Sequence, residues 1–177
     1  SMSTEPTAAP VALSPLAVSP QGGCSLSCCG GMAESSVAYF MQWHRLQITF
    51  EGVPSFEDAE PNPFLDYRLS VDMTHSDTGT TVRVQGYFAA DGNAAVTGAT
   101  AGDKWRVLFL PDKTGMWSWT ASFVFGDDVA VNLDDVGTPL CFDGASGSFF
   151  VVDSDKQLPD LRKGGYLKYV GEHYLQY

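Results

Sequence analysis

Apolar and polar residues alternate along six segments of the chain, which is the most regular pattern in the sequence. In residues 117–125, for example, Trp117, Trp119, Ala121, Phe123 and Phe125 fall on one face and small polar residues separate most of them. A period of two is typical of β-strands that bury one face. The other five segments are residues 43–50, 64–74, 80–88, 104–110 and 147–152.

The same alternation predicts which side chains face inward. In the first of these segments the inward residues are Leu46, Ile48 and Phe50, in the second Leu65, Tyr67, Leu69, Val71 and Met73, and in the third Val82, Val84, Gly86 and Phe88. No stretch keeps helical spacing over three turns. Short strands separated by Gly, Asp, Asn and Pro turns predict an all-β, two-sheet antiparallel sandwich over residues 37–160.

The two ends of the chain differ from this central part. Residues 1–36 are rich in Ala, Pro, Ser and Gly without periodicity, which predicts a disordered or extended tail or linker. Residues 161–177 contain two short aromatic-rich runs on either side of Gly171-Glu172, and we expect a tight hairpin there. Because the second run reaches the last residue, we expect a domain border at that point.

Charge narrows the classes of partner. Ten Lys and Arg against 21 Asp and Glu give a net charge of −11, and the chain has no basic run. We therefore expect neither nucleic acid nor an anionic membrane surface as a partner, because both are bound through cationic side chains. A neutral polymer such as a polysaccharide needs no charge match.

Three of the four cysteines, Cys24, Cys28 and Cys29, lie in the Gly-rich part of the tail, and the fourth is Cys141. A disulfide within the tail, or from the tail to Cys141, is expected if the protein is exported. Zinc would need a fourth ligand, and distant Cys141 is the one thiol left to supply it. The sequence leaves the connectivity open.

Several ordered motifs resemble one known family. They are Trp43-His44 through Gly52, Asn62-Pro63-Phe64-Leu65-Asp66-Tyr67, Gly86-Tyr87-Phe88-Ala89-Ala90-Asp91-Gly92-Asn93, Lys104-Trp105-Arg106-Val107 and Pro111-Asp112-Lys113-Thr114-Gly115-Met116-Trp117. From about residue 42 to residue 177 the chain resembles an Ig-like domain of uncharacterised function. That domain precedes (β/α)8-barrel glycoside hydrolase domains of the apiosidase-like and cellulase-like kind in bacterial polysaccharide-degrading enzymes.

The resemblance implies a fold and a context, and it supplies no site. It implies an Ig-like sandwich in a secreted or cell-surface bacterial protein, with residues 161–177 leading into a catalytic barrel of the same polypeptide. The expected function is that of a non-catalytic accessory module, which positions the barrel and contacts polysaccharide. A purely structural spacer without a ligand and an independent glycosidase are the alternatives.

Two aromatic residues fall on the polar, outward face of the alternating pattern. Tyr87 alternates in phase with Arg83 and Gln85, and Trp43 stands in phase with Arg45 and Gln47. Sugars stack their C–H faces on exposed rings, so we predict a carbohydrate-binding platform formed by Trp43, Arg83, Gln85 and Tyr87. Docking of this face on the barrel and an ordinary surface are the alternatives.

The acidic residues fall mostly in turns. A glycosidase needs two carboxylates facing each other across the scissile bond, and no such pair stands out, so we expect no catalytic residues and no cofactor. Calcium is the ion that an Asp-rich loop would take, and its candidate ligands are Asp91, Asn93, Asp127 and Asp128. Turn chemistry accounts for Asp91-Gly92-Asn93 without an ion, so we expect no metal.

Overall fold

The computed structural model describes residues 16–17, 37–134, 136–165, 167–171, 173 and 175–176. In chain order its strands are β1 (Leu16–Ala17), β2 (Ala38–Met41), β3 (Leu46–Phe56), β4 (Tyr67–His75), β5 (Thr81–Gln85), β6 (Tyr87–Phe88), β7 (Ala101–Phe109), β8 (Gly115–Phe125), β9 (Thr138–Pro139), β10 (Ser146–Val152), β11 (Lys168–Tyr169) and β12 (Leu175–Gln176). A helix α1 (Ala94–Thr97) and a 3₁₀ turn (Leu161–Lys163) complete the elements. Within this part of the chain no helix has the length and apolar character needed to cross a bilayer.

Two sheets form the sandwich. The four-stranded sheet has the order β1-β3-β7-β6, and the six-stranded sheet has the order β2-β10-β8-β4-β5 with β9 beside β8. This confirms the predicted Ig-like β-sandwich. Pairing is antiparallel except where β1 meets β3 and β2 meets β10, which run parallel. The antiparallel expectation is therefore wrong for these two outer strands.

The core lies between the sheets and is built from aromatic rings. Trp105, Trp117 and Trp119 are almost completely buried, and the ring of Phe142 stacks on that of Phe123 at 4.3 Å and on that of Phe50 at 4.7 Å. Burial of each large apolar side chain contributes roughly 1.5–3 kcal/mol. The predicted alternation of buried and outward residues in β3, β7 and β8 is confirmed.

Two side chains that the alternation placed inward are exposed. Leu65 belongs to a turn that precedes β4, in which the Asn62 amide donates to Asp66 Oδ2 over 2.6 Å, so the strand begins only at Tyr67. Val82 lies on β5, the last strand of its sheet, and its side chain is left 41% exposed. The predictions for Leu65 and Val82 are therefore wrong.

The segment 80–88 is two strands rather than one. The chain leaves the six-stranded sheet after Gln85 and enters the four-stranded sheet at Tyr87. Gly86 stands at this crossing, where its amide donates to the carbonyl of Leu69 over 2.8 Å. A Cβ at position 86 would overlap the Leu69 side chain and approach the Arg106 carbonyl to 3.0 Å, so any other residue at the crossing would have to displace Leu69.

At the C-terminal end, β11 and β12 pair antiparallel, as the hairpin prediction expected. The connection between them spans five residues, which makes it longer than the tight turn predicted at Gly171-Glu172. The predicted tail over residues 1–36 lies outside the described residues apart from β1.

Candidate functional site

A row of polar and aromatic side chains crosses the outer face of the four-stranded sheet. Tyr87 on β6 lies opposite Arg106 on β7, which in turn lies opposite Thr49 on β3. Their strand neighbours Phe88, Trp105 and Phe50 point into the core, so the row faces outward. Tyr87 is 42% exposed.

Hydrogen bonds fix the position of the Arg106 guanidinium. Its Nη2 donates to the Gly92 carbonyl over 2.6 Å, and its Nε donates to Thr49 Oγ1 over 3.3 Å. The same hydroxyl accepts from Gln47 Nε2 at 3.3 Å. None of the hydrogen bonds among the described residues uses Nη1, which leaves donors of the planar fork available at the surface.

Beside this row lies a shallow depression of about 200 Å³. Its described lining is Glu57, Tyr87, Phe88, Ala89, Ala90, Gly92, Asn93, Ala94, Ala95 and Arg106. Asn93 occupies the N-cap position of α1, but its side chain makes no capping hydrogen bond. The side-chain amide of Asn93 therefore remains available to a ligand.

The loop that carries Asn93 is held by Asp91. One carboxylate oxygen of Asp91 accepts from the backbone N–H of Asn93 at 2.7 Å, and the other accepts from the Thr97 hydroxyl at 2.7 Å. These hydrogen bonds hold the pKa of Asp91 below its ordinary value, and the bond from the Asn93 backbone has the largest effect. The charge of Arg106 lowers the pKa further. The carboxylate thus shapes the rim of the depression.

Arg83 and Gln85, which the sequence placed beside Tyr87, belong to the other sheet. Arg83 donates to both carboxylate oxygens of Asp72 at 2.7 Å, and this bidentate pair lowers the pKa of Asp72. Gln85 lies opposite Ser70 on β4. The predicted row of Arg83, Gln85 and Tyr87 is wrong, because the alternation of residues 80–88 runs through the crossing at Gly86.

The strand pattern also predicts the wrong position for Trp43. It lies in the turn between β2 and β3 with a φ of 62°, and its amide donates to the Pro111 carbonyl over 3.0 Å. Its half-buried ring packs on Gly165, far along the chain. Trp43 therefore does not share a strand face with Arg45 and Gln47, and β3 begins only at Leu46.

The calcium candidates lie in two different loops. Asp91 and Asn93 close the turn described above, whereas the amide of Asp128 donates to Asp66 Oδ1 over 3.1 Å in the loop after β8, next to Asp127. Over the part of the chain that the structure describes, no three His, Cys, Asp or Glu side chains form a group that could hold a metal ion.

The disulfide candidates divide between the core and the tail. Cys141 is half-buried and packs against the core. Cys24, Cys28 and Cys29 lie outside the described residues, so the disulfide stays a prediction.

Arg106 and Glu57 are the site residues that sequence reasoning missed. The signal for Arg106 was present, because its outward parity follows from the buried Trp105 and Val107 on either side. No comparable signal marked Glu57, which reaches the depression because it follows the end of β3.

The fold and the depression define an Ig-like β-sandwich module with a small polar surface site. Residues 39–124 match the model of a family described as a domain of unknown function, DUF5060. The search of the curated proteins finds no significant match.

One solved structure gives a fold comparison. It belongs to a protein of Bacteroides vulgatus ATCC 8482 described as a "putative glycoside hydrolase", with a TM-score of 0.50 and 21% identity. The similarity covers 79% of this chain and 20% of that protein, so the chain spans about a fifth of its length. At this level of identity the similarity shows the sandwich fold.

Proposed function

We propose that this chain is a non-catalytic accessory module of a secreted bacterial glycoside hydrolase, and that it positions the catalytic domain of the same polypeptide. The observation that carries the proposal is the described part of the segment after β10, residues 153–165 and 167–171. This exit segment is fastened to the sandwich and directs apolar side chains into solvent.

The fastening is made by the turn between β2 and β3. The Gln42 amide donates to the Val152 carbonyl over 2.8 Å at the end of β10. His44 Nε2 lies 3.5 Å from Asp155 Oδ1, and the Trp43 ring packs on Gly165. The exit segment therefore contacts this turn at Asp155 and Gly165, and such contacts suit a positioning module.

Five large apolar side chains on the exit segment are more than half exposed: Leu158, Leu161, Leu167, Tyr169 and Val170. All five lie within thirteen residues of the chain, and a contiguous apolar surface formed by them would be an interaction surface, because its exposure to water is unfavourable. A neighbouring domain of the same polypeptide would cover them, since interfaces within a chain bury such surfaces.

The structural comparison supports this context. The fold of this chain corresponds to a fifth of the protein described as a "putative glycoside hydrolase", and four-fifths of that protein lie outside the similarity. A module of this size beside a much larger remainder is the arrangement that the proposal requires.

The site chemistry favours a role without catalysis. Among the described residues that line the depression, Glu57 is the only acid. Hydrolysis of a glycosidic bond needs a second carboxyl group roughly 5–9.5 Å away, either as nucleophile or as base. The other hydrogen-bonding side chains of the described lining include those of Arg106 and Asn93, which suit binding, and Asp91 at the rim has both carboxylate oxygens engaged by the Asn93 backbone N–H and the Thr97 hydroxyl.

The test uses the full polypeptide with paired substitutions in the exit segment. Leu167→Ser with Val170→Ser should lower the thermal unfolding midpoint of the catalytic domain, because the apolar contact between the domains is weakened. The matched control, Val96→Ser with Val136→Ser, changes two exposed valines outside the exit segment and should leave that midpoint unchanged. Equal midpoints for both double variants would contradict the positioning role and favour a spacer that does not contact its neighbour.

A further inference from the structure

We propose that the depression bounded by Tyr87, Arg106 and Asn93 binds one sugar unit of a neutral polysaccharide. This binding site goes beyond the positioning role and does not depend on it, because it lies entirely within the sandwich.

The first element of the site is the ring of Tyr87. It stands on β6, the edge strand of the four-stranded sheet, and its neighbours across the row are the polar side chains of Arg106 and Thr49. A ring with an apolar face and a polar surround matches a sugar, whose C–H face stacks on the ring while its hydroxyls reach outward. Tyrosine supplies this contact area at a small cost in side-chain entropy.

The second element is a set of hydrogen-bonding groups around the ring. Arg106 Nη1 offers donors, the Asn93 amide offers both donors and an acceptor, and Glu57 offers acceptors. A sugar hydroxyl is both donor and acceptor, so this mixed set suits it. Gly92 and Thr49 hold the guanidinium in place before any ligand arrives, which lowers the cost of ordering it.

Size and charge restrict the ligand class. The volume of about 200 Å³ is below the roughly 300–1,000 Å³ of sites for drug-sized molecules, so a single sugar ring fits and an oligosaccharide would extend into solvent. The net charge of −11 and the carboxylate of Glu57 in the wall oppose a polyanion. Among polysaccharides these features favour a neutral one, bound weakly at each unit.

The position of the depression argues against a protein partner. Interface cores are depleted in acidic residues, yet the lining here includes the carboxylate of Glu57. The exit segment lies at the Trp43 end of the sandwich, where β3 begins, whereas Glu57 follows the far end of this eleven-residue strand. A domain seated on the exit segment would leave this wall of the depression in solvent.

The test is affinity electrophoresis of the chain in native gels that contain xyloglucan, galactomannan or hydroxyethyl cellulose, with polygalacturonate as the anionic comparison. We expect retardation by at least one neutral polysaccharide. Tyr87→Ala should weaken binding about tenfold. Asn93→Ala should weaken binding a few-fold. The native Asn93 side chain makes no capping bond, so its removal should not disturb the helix α1.

Tyr39→Ala is the matched control, because Tyr39 is 56% exposed and lies on the other sheet. It should leave retardation unchanged, and an unchanged circular dichroism spectrum would show that each variant is folded. Three results would each overturn the proposal. The chain is not retarded in any neutral gel, the Tyr87→Ala variant is still retarded as strongly, or the Tyr39→Ala variant is no longer retarded. If Tyr87→Ala lowers the thermal unfolding midpoint of the full polypeptide but leaves the retardation unchanged, this face is a protein contact instead. The Leu167→Ser, Val170→Ser variant tests the positioning role separately, so the two proposals can fail independently.

Discussion

The ring of Trp43 occupies the space that a side chain on Gly165 would need. A Cβ at Gly165 would stand 2.9 Å from Trp43 Cζ2, which is closer than such contacts normally come. Trp43 and Gly165, which are 122 positions apart in the sequence, are therefore in contact. This contact holds the exit segment against the turn between β2 and β3.

Gly165→Ala should release this contact. We expect a loss of about 1–3 kcal/mol in the free energy of unfolding, because the new methyl group must displace the indole or the backbone. The change in Trp43 surroundings should also shift the tryptophan fluorescence. Gly171→Ala is the matched control, since Gly171 has nearly the same φ, 108° against 109°, but no atom of the described residues lies within 4 Å of the added Cβ. Equal effects of the two substitutions would show that backbone strain and not the Trp43 contact sets the cost.

Gly86→Ala should destabilise the sandwich by about 1–3 kcal/mol or more, because its Cβ would overlap Leu69 where the chain changes sheets. Chemical denaturation of Gly86→Ala, Leu69→Ala and the double variant measures the coupling. The double variant should lose less than the sum of the single losses, since the shorter side chain makes room. Strict additivity would contradict the proposed overlap.

Arg83→Ala combined with Gln85→Ala should leave polysaccharide retardation unchanged. Both residues belong to the six-stranded sheet, away from Tyr87, and Arg83 is paired with Asp72. The Arg83 and Asp72 side chains are 66% and 37% exposed, so we expect the double variant to cost less than about 1 kcal/mol of stability. Loss of retardation would restore the row that the sequence alone predicted.

The pKa of Asp160 is lowered to about 2, chiefly by hydrogen bonds from the Arg162 side chain. A carboxyl whose pKa is depressed in the folded chain contributes stability above its unfolded value, and this contribution is lost as the pH falls through about 2. Carboxyl carbon shifts followed by NMR should give that midpoint, and Arg162→Ala should raise it towards 3.8. A midpoint near 3.8 in the unchanged chain would contradict the Arg162 contact.

How far the sequence predicts this molecule depends on whether a feature is local. Alternation identified the buried face of β8, because Trp117 and Trp119 follow a period that needs no knowledge of partners. The crossing at Gly86 was missed, because the alternation continues across it and only the overlap with Leu69 reveals it. The site was found in part: Tyr87 is outward as expected, but its partner Arg106 depends on strand register, which one sequence does not specify.

The claim that this module binds without catalysing is tested most directly by assaying reducing ends. The isolated chain is incubated with the neutral polysaccharide that retards it most, and the release is compared with that of the heat-denatured chain. We predict equal values, since Glu57 is the only acid among the described residues lining the depression. Release above that level, abolished by Glu57→Gln, would show that the site breaks glycosidic bonds and would contradict the account.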